Sequence, residues 1–179
     1  MAAATSPEAQ PSEGDPLCLD RQLCFALYAA SNLMVRAYRP LLAPLGLTYA
    51  QYLVMLVLWR EGAIGVGDLC RRLFLDSGTV TPLLKRMEKA GLVQRRRDDR
   101  DERRVVVTPT PHGMALRDRA TTIPDTLARR LAGHLTVAEA EGLRTTMRRL
   151  VAVLADGVSG PAAPGAKAPE VPDPFPPTP

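Results

Sequence analysis

Two short strand-like runs around a charged tip constrain this chain more than any other feature. Leu92-Val93-Gln94-Arg95 and Arg104-Val105-Val106-Val107 flank Arg97-Asp98-Asp99-Arg100-Asp101, while the apolar periodicity elsewhere is helical. They predict one small β-hairpin inside a mainly α chain. Gly91 precedes it as a helix stop, and Thr110-Pro111 follows as an N-cap with proline at the first helical position. The hairpin is therefore placed directly between two helices.

The other helices are read from the same signals. Leu19, Leu23, Leu27, Met34, Tyr38, Leu41 and Leu45 recur at helical spacing, giving a long first helix that ends near Pro44-Leu45-Gly46. Thr48-Tyr49-Ala50-Gln51 has the form of a capping box and opens a second helix through Trp59, stopped at Glu61-Gly62. A short helix over 66–73 is followed by the turn Leu75-Asp76-Ser77-Gly78 and a helix to Lys89. Pro82 is comfortable only in a first turn, so regular helix is expected from Thr79 rather than Ser77. After the hairpin, a helix from Thr110-Pro111 should kink at Pro124, and Thr136-Val137-Ala138-Glu139 caps a last helix to Ala155. Helix, helix, short helix, turn, helix, hairpin, helix, helix is the order of a winged helix-turn-helix with added N- and C-terminal dimerisation helices.

At 179 residues the length suits one domain with a real core. Residues 1–15 are Ala, Ser, Glu and Pro without periodicity and 157–179 are rich in proline, so both are expected to be disordered. The folded part is 16–156, with a DNA-binding core over 47–109 and dimerisation by 16–46 and 110–156. No apolar run reaches the roughly 18 residues of a membrane span, and no secretory signal opens the chain, so a soluble cytoplasmic protein is expected. Cys18, Cys24 and Cys70 are too sparse for a disulfide framework, and His112 and His134 have no ligand spacing. Neither a metal nor a cofactor is expected.

Charge is unevenly placed. Residues 71–104 hold eleven Lys or Arg against six Asp or Glu, a local excess larger than the whole-chain net charge of +4. A basic surface on a near-neutral body suits a phosphate backbone; a solvated charged face is the alternative.

Three motifs then resemble a known family. Asp98-Asp99-Arg100-Asp101-Glu102-Arg103-Arg104-Val105-Val106-Val107-Thr108 resembles the wing of MarR-family regulators, and Leu75-Asp76-Ser77-Gly78-Thr79-Val80-Thr81-Pro82-Leu83-Leu84-Lys85-Arg86-Met87 their recognition helix. Leu19-Asp20-Arg21-Gln22-Leu23-Cys24-Phe25-Ala26-Leu27-Tyr28 and Leu47-Thr48-Tyr49-Ala50-Gln51-Tyr52 resemble the OhrR subgroup, sensors of organic hydroperoxides. Two departures stand out: Pro109-Thr110 closes the wing where many members have leucine before the threonine, and Leu127-Ala128-Arg129-Arg130 lacks the second, resolving cysteine of some members.

The resemblance implies a homodimeric repressor on double-stranded DNA with an inverted-repeat operator. A recognition helix in the major groove presents Ser77, Thr79, Thr81, Lys85 and Arg86, the last able to fork onto guanine. In the wing, Arg103 resembles the family's minor-groove arginine, with Asp99 and Asp101 orienting the arginines through charge-assisted hydrogen bonds. Arg95 and Arg97 join the DNA-binding set, or else belong to a solvated turn.

A sensor cysteine reacts as the thiolate, and a peroxide converts it to the sulfenic acid. Cys24 and Tyr28 lie one turn apart on one helix face, so the phenol can donate to the sulfur. The resemblance adds Tyr38 and Tyr49 as thiolate partners. Tyr38 is fourteen residues beyond Cys24, roughly 21 Å along a straight helix, so a Tyr38 that touches the sulfur comes from the other subunit. Cys24 could otherwise be an inert core residue; Cys18 reads as incidental and Cys70 as core. The expected oxidant is an organic hydroperoxide and the expected second thiol is of low molecular weight. The competing readings are a repressor released by a small aromatic ligand, and a thiol peroxidase, which would have no need of a wing; an enzyme is not expected.

Overall fold

The computed structural model describes residues 17–99 and 101–158. The arm expected at 1–15, positions 159–179 of the expected tail, and Arg100 at the hairpin tip lie outside the described residues. A 3-10 turn at Leu19–Arg21 leads into α1, Leu23–Leu42, and a second one at Ala43–Leu45 closes it, with Gly46 left-handed at φ 67°. Next come α2 at Tyr49–Glu61, β1 at Ile64–Gly65, α3 at Val66–Leu73 and α4 at Ser77–Lys89. The wing strands are β2, Val93–Arg97, and β3, Val105–Pro109; α5 at Pro111–Ala120, α6 at Thr122–Leu131 and α7 at Val137–Val158 follow.

Local chemistry explains the boundaries. Thr48 and Gln51 form the reciprocal capping box that starts α2, and Thr136 and Glu139 do the same for α7. At α5 the Thr110 hydroxyl accepts from the Gly113 amide at 3.0 Å and donates to the Gly91 carbonyl, tying the helix start to the end of α4.

The core gathers on α2. Tyr52, Val54, Met55, Val57 and Leu58 are all buried, so this helix is surrounded on most of its circumference. Against it pack Val80, Leu83, Leu84 and Met87 of α4, spaced i, i+3, i+4, i+7, with Leu69 of α3 and Val93 and Val107 of the wing. The sheet has three antiparallel strands in the order β1-β3-β2, with Ile64 opposite Val107 and Arg95 opposite Val107 on the other side.

Four expectations are corrected. The first helix is regular only from Leu23, because Leu19–Arg21 winds as 3-10 and Gln22 is extended. Helix α4 begins at Ser77, not Thr79: Asp76 caps it by accepting from the Thr79 amide at 2.8 Å, so the first turn is set before Pro82 withholds its single donor. The sheet gains β1, two residues too short to show alternation. The helix after the wing breaks at Thr121 rather than bending at Pro124, which lies in the first turn of α6 where proline is tolerated.

Gly113 of α5 is where helix and wing meet. A Cβ there would lie 2.2 Å from the Leu92 carbonyl oxygen and 3.1 Å from Met55 Cε. In an open helix Gly→Ala stabilises by up to about 1 kcal/mol. Here the clash with rigid backbone wins, and Gly113→Ala should destabilise by about 2–3 kcal/mol. A urea midpoint shifted down with an unchanged slope is the expected result; an equal or higher midpoint contradicts this packing.

Candidate nucleic-acid interface and thiol site

With Val80, Leu83, Leu84 and Met87 turned inward, the outer face of α4 carries Ser77, Thr79, Lys85 and Arg86, all exposed, while Thr81 is half-buried. Thr79 has a second task. Its hydroxyl donates to Asp76 at 2.8 Å, and this bond together with the Thr79 amide holds the Asp76 carboxyl below its ordinary range. The exposed turn at the start of α4 is therefore braced from within, and Lys85 and Arg86 remain as its outward cations.

Wing residues divide into presented and braced. Arg103 has its side chain 93% exposed, and among the described residues Asp101 steadies it: the carboxylate accepts from Arg103 Nε at 3.3 Å and from its amide at 3.1 Å. Arg97 is exposed at the end of β2. Arg95 is different. Its Nη2 and Nε donate to one Glu88 carboxylate oxygen at 2.6 and 3.0 Å, and its amide donates to the other at 3.1 Å. The structure thus places Arg95 as a tie between β2 and α4, unlike the exposed Arg86, Arg97 and Arg103.

A second tie was missed in the sequence. Arg104 reaches back from the wing to Asp68 of α3 at 3.1 Å, and Asp68 also binds Arg71; Arg72 pairs with Glu61 at 3.1 Å. Strand alternation could have found the first tie, because Arg95 shares a face with buried Val93. Nothing local signals the second, which joins positions 36 residues apart.

The candidate thiol site is split. Cys24 is exposed as the second residue of α1, with Tyr28 exposed one turn on. Tyr38 lies at the far end of α1, where its ring is 4.9 Å from that of Tyr49 and 5.9 Å from that of Tyr52. Trp59 continues the row, 6.2 Å from Tyr52. Tyr52 and Trp59 escaped the sequence reading, although both lie on α2 at helical spacing from Tyr49. Burial raises the Tyr38 and Tyr49 hydroxyls above their ordinary value and pushes Tyr52 up to about 12, so all three are protonated donors at neutral pH. Within one chain the structure does not bring Cys24 to Tyr38 or Tyr49. Cys70 is half-buried on α3, and burial, followed by the nearby Asp76 charge, raises its thiol, which opposes reactivity.

Comparison with known proteins places this geometry. The family described as the MarR family matches residues 47–105. The transcriptional regulator TtmR of Methylorubrum extorquens is 52% identical over 118 residues, which cover 66% of this chain and 60% of TtmR. The organic hydroperoxide resistance transcriptional regulator of Bacillus subtilis is 47% identical over 113 residues, covering 63% of this chain and 77% of that protein. Reduced AbfR bound to DNA, from a Staphylococcus epidermidis protein, superposes with a TM-score of 0.65 at 32% identity, covering 78% of this chain and 94% of AbfR.

The Glu88–Arg95 tie carries a pH signature. Hydrogen bonding from the Arg95 side chain holds Glu88 below its ordinary value of 4.5. A carboxyl lowered in the folded state adds stability above that ordinary value and loses it as pH falls through the lowered one. Glu88→Gln should reduce hydrogen-exchange protection of the Arg95 amide at pH 7, and the two proteins should converge in acid. Equal protection at pH 7 contradicts the tie.

Proposed function

The chain belongs to the MarR family, and from that premise we propose that this DNA-binding transcriptional regulator is a dimeric repressor released from its operator when an organic hydroperoxide oxidises Cys24. The observation that carries the reading is the placement of Cys24 and the Tyr38–Tyr49 pair at opposite ends of α1. Cys24 lies far from the Tyr38 and Tyr49 phenols of its own chain, and a second copy running the other way puts it against them. Leu23, Leu33, Leu143, Val153 and Leu154 of α1 and α7 are more than half exposed, an apolar surface suited to that second copy. Two copies carry two α4 faces, and spacing them about one DNA turn apart favours an inverted-repeat operator.

In the reduced dimer, Ser77, Thr79, Thr81, Lys85 and Arg86 face the major groove, and Arg103, steadied by Asp101, enters the minor groove beside Arg97. Arg95 contributes by holding the wing rather than by touching a base. At the sensor, the phenols of Tyr38, Tyr49 and Tyr28 donate to the Cys24 thiolate. The sulfur attacks the terminal peroxide oxygen, the O–O bond breaks, and the alkoxide leaves and takes a proton, giving sulfenic acid and an alcohol. A low-molecular-weight thiol then displaces water from the sulfenic acid, forming a mixed disulfide.

That second step supplies the displacement, because a bulky adduct cannot fit a packed seam between subunits. AbfR has been solved on DNA when overoxidized, at 36% identity to this chain, and separately with a disulfide formed, at 34% identity. The first supports a releasing event other than added oxygen alone. A thiol peroxidase reading leaves the wing and the α4 face without a use.

Operator binding tests the whole scheme. Arg86→Ala and Arg103→Ala should each cost about 1–3 kcal/mol of operator affinity with the fold intact. Cys24→Ser should bind DNA and ignore an organic hydroperoxide plus a small thiol, while Cys18→Ser and Cys70→Ser respond as the unaltered protein does. Intact mass should show one thiol adduct per subunit, at Cys24. Release that survives Cys24→Ser, or a disulfide from Cys24 to Cys18 or Cys70, contradicts the mechanism.

A further inference from the structure

Tyr52, Leu56, Trp59 and Arg60 of α2 face Arg117 of α5 and Pro124 of α6 across an open cleft of roughly 410 Å³. Its floor is apolar, with Leu56 42% exposed, and its two charged lining groups are both arginines. No residue of the proposed thiol chemistry lines it, yet it begins where that site ends, since the Tyr52 ring lies 5.9 Å from Tyr38.

The segment just before Cys24 has matching chemistry. Leu17, Leu19 and Leu23 are 86%, 56% and 64% exposed, although three leucines in seven residues would be costly to leave in water. Within this segment Asp20, between Leu19 and Arg21, supplies one carboxylate. An apolar segment with a carboxylate next to Leu19 fits an apolar cleft flanked by arginines.

Reach decides which chain supplies it. Within one chain, Leu23 is fifteen residues before Tyr38, about 22 Å along α1. Residues 17–22, even fully extended, span about 20 Å and cannot pass Tyr38 to reach Trp59. The second copy meets no such limit. The proposed sensor seats its Cys24 against Tyr38 and Tyr49, so its arm starts at the mouth of the cleft. From Tyr52 to Trp59 the cleft follows seven residues of α2, about 10 Å, well within the arm's span.

We infer that Leu17–Leu23 of a second copy of this chain docks in the Tyr52–Trp59 cleft, with Leu19 over Leu56 and Asp20 between Arg60 and Arg117. The inference rests on the proposed placement of Cys24 across the dimer. It extends that placement to an arm exchange that couples the sensor to α2: a bulky adduct on Cys24 withdraws the residues immediately before it.

Cross-linking tests the docking. In full-length protein with Cys18, Cys24 and Cys70 changed to serine, Leu19→Cys with Leu56→Cys should give, on mild diamide oxidation, a covalent dimer bridged between positions 19 and 56. Leu17→Cys with Leu56→Cys serves as the neighbouring register. A bridge within one chain, or no bridge from either pair, overturns the inference. Trp59 is the only tryptophan and reports independently. Leu19→Asp, a change at an exposed position, should shift its emission to the red and increase acrylamide quenching; an unchanged spectrum overturns the inference. Peroxide release of the unaltered protein is measured alongside. A responsive protein with no bridge refutes the arm and leaves the sensor, whereas a bridge in an unresponsive protein refutes the sensor and leaves the arm.

Discussion

Cys24 and Tyr38 are carried by one uninterrupted helix, and a helix does not fold back on itself. The twenty residues of α1 fix the two groups roughly 21 Å apart, with Pro40 coming only after Tyr38. Burial keeps the phenols of Tyr38, Tyr49 and Tyr52 protonated, and they gather at the far end, away from the Cys24 of their own chain. The exposed leucines on α1 and α7 share that cause: both helices extend past the compact winged unit, and one chain lacks the surface to cover them.

The DNA-facing side depends on a different constraint, the pitch of a short hairpin against a short helix pair. Five-residue strands with one buried side chain apiece are too small to hold an angle through the hydrophobic effect alone. Ion pairs do it instead. Glu88 takes three donors from Arg95, and Asp68 joins Arg104 to α3. Each exposed pair is worth little energetically, but a bidentate guanidinium fixes direction as well as distance. Arg95 is held through Nε and Nη2 and Arg104 through a single contact, while Arg103 stays 93% exposed. Arginines in this wing are thus divided between braced and exposed.

Much of this was legible in the chain itself. The order of elements, two capping boxes and the wing all follow from local rules, because caps, turns and strand alternation act over a few residues. Pro82 and Pro124 misled for one reason: proline excludes itself from a helix interior, but a strong cap upstream or a first-turn position changes its cost. Charge alone puts Arg95 with the DNA-facing set or a solvated turn, whereas alternation with Val93 turns it inward. Asp68 could not be assigned, since Arg104 lies 36 residues along the chain and only tertiary packing brings the two together.

Mixed dimers test directly whether each sensor is built from two chains. One subunit carries Cys24→Ser and its partner carries Tyr38→Phe with Tyr49→Phe. If the site spans both chains, the remaining Cys24 faces intact phenols, and its sulfenic acid should form at the per-site rate of the unaltered dimer. A rate as slow as that of the dimer with both tyrosines changed in both subunits would contradict a site shared between subunits.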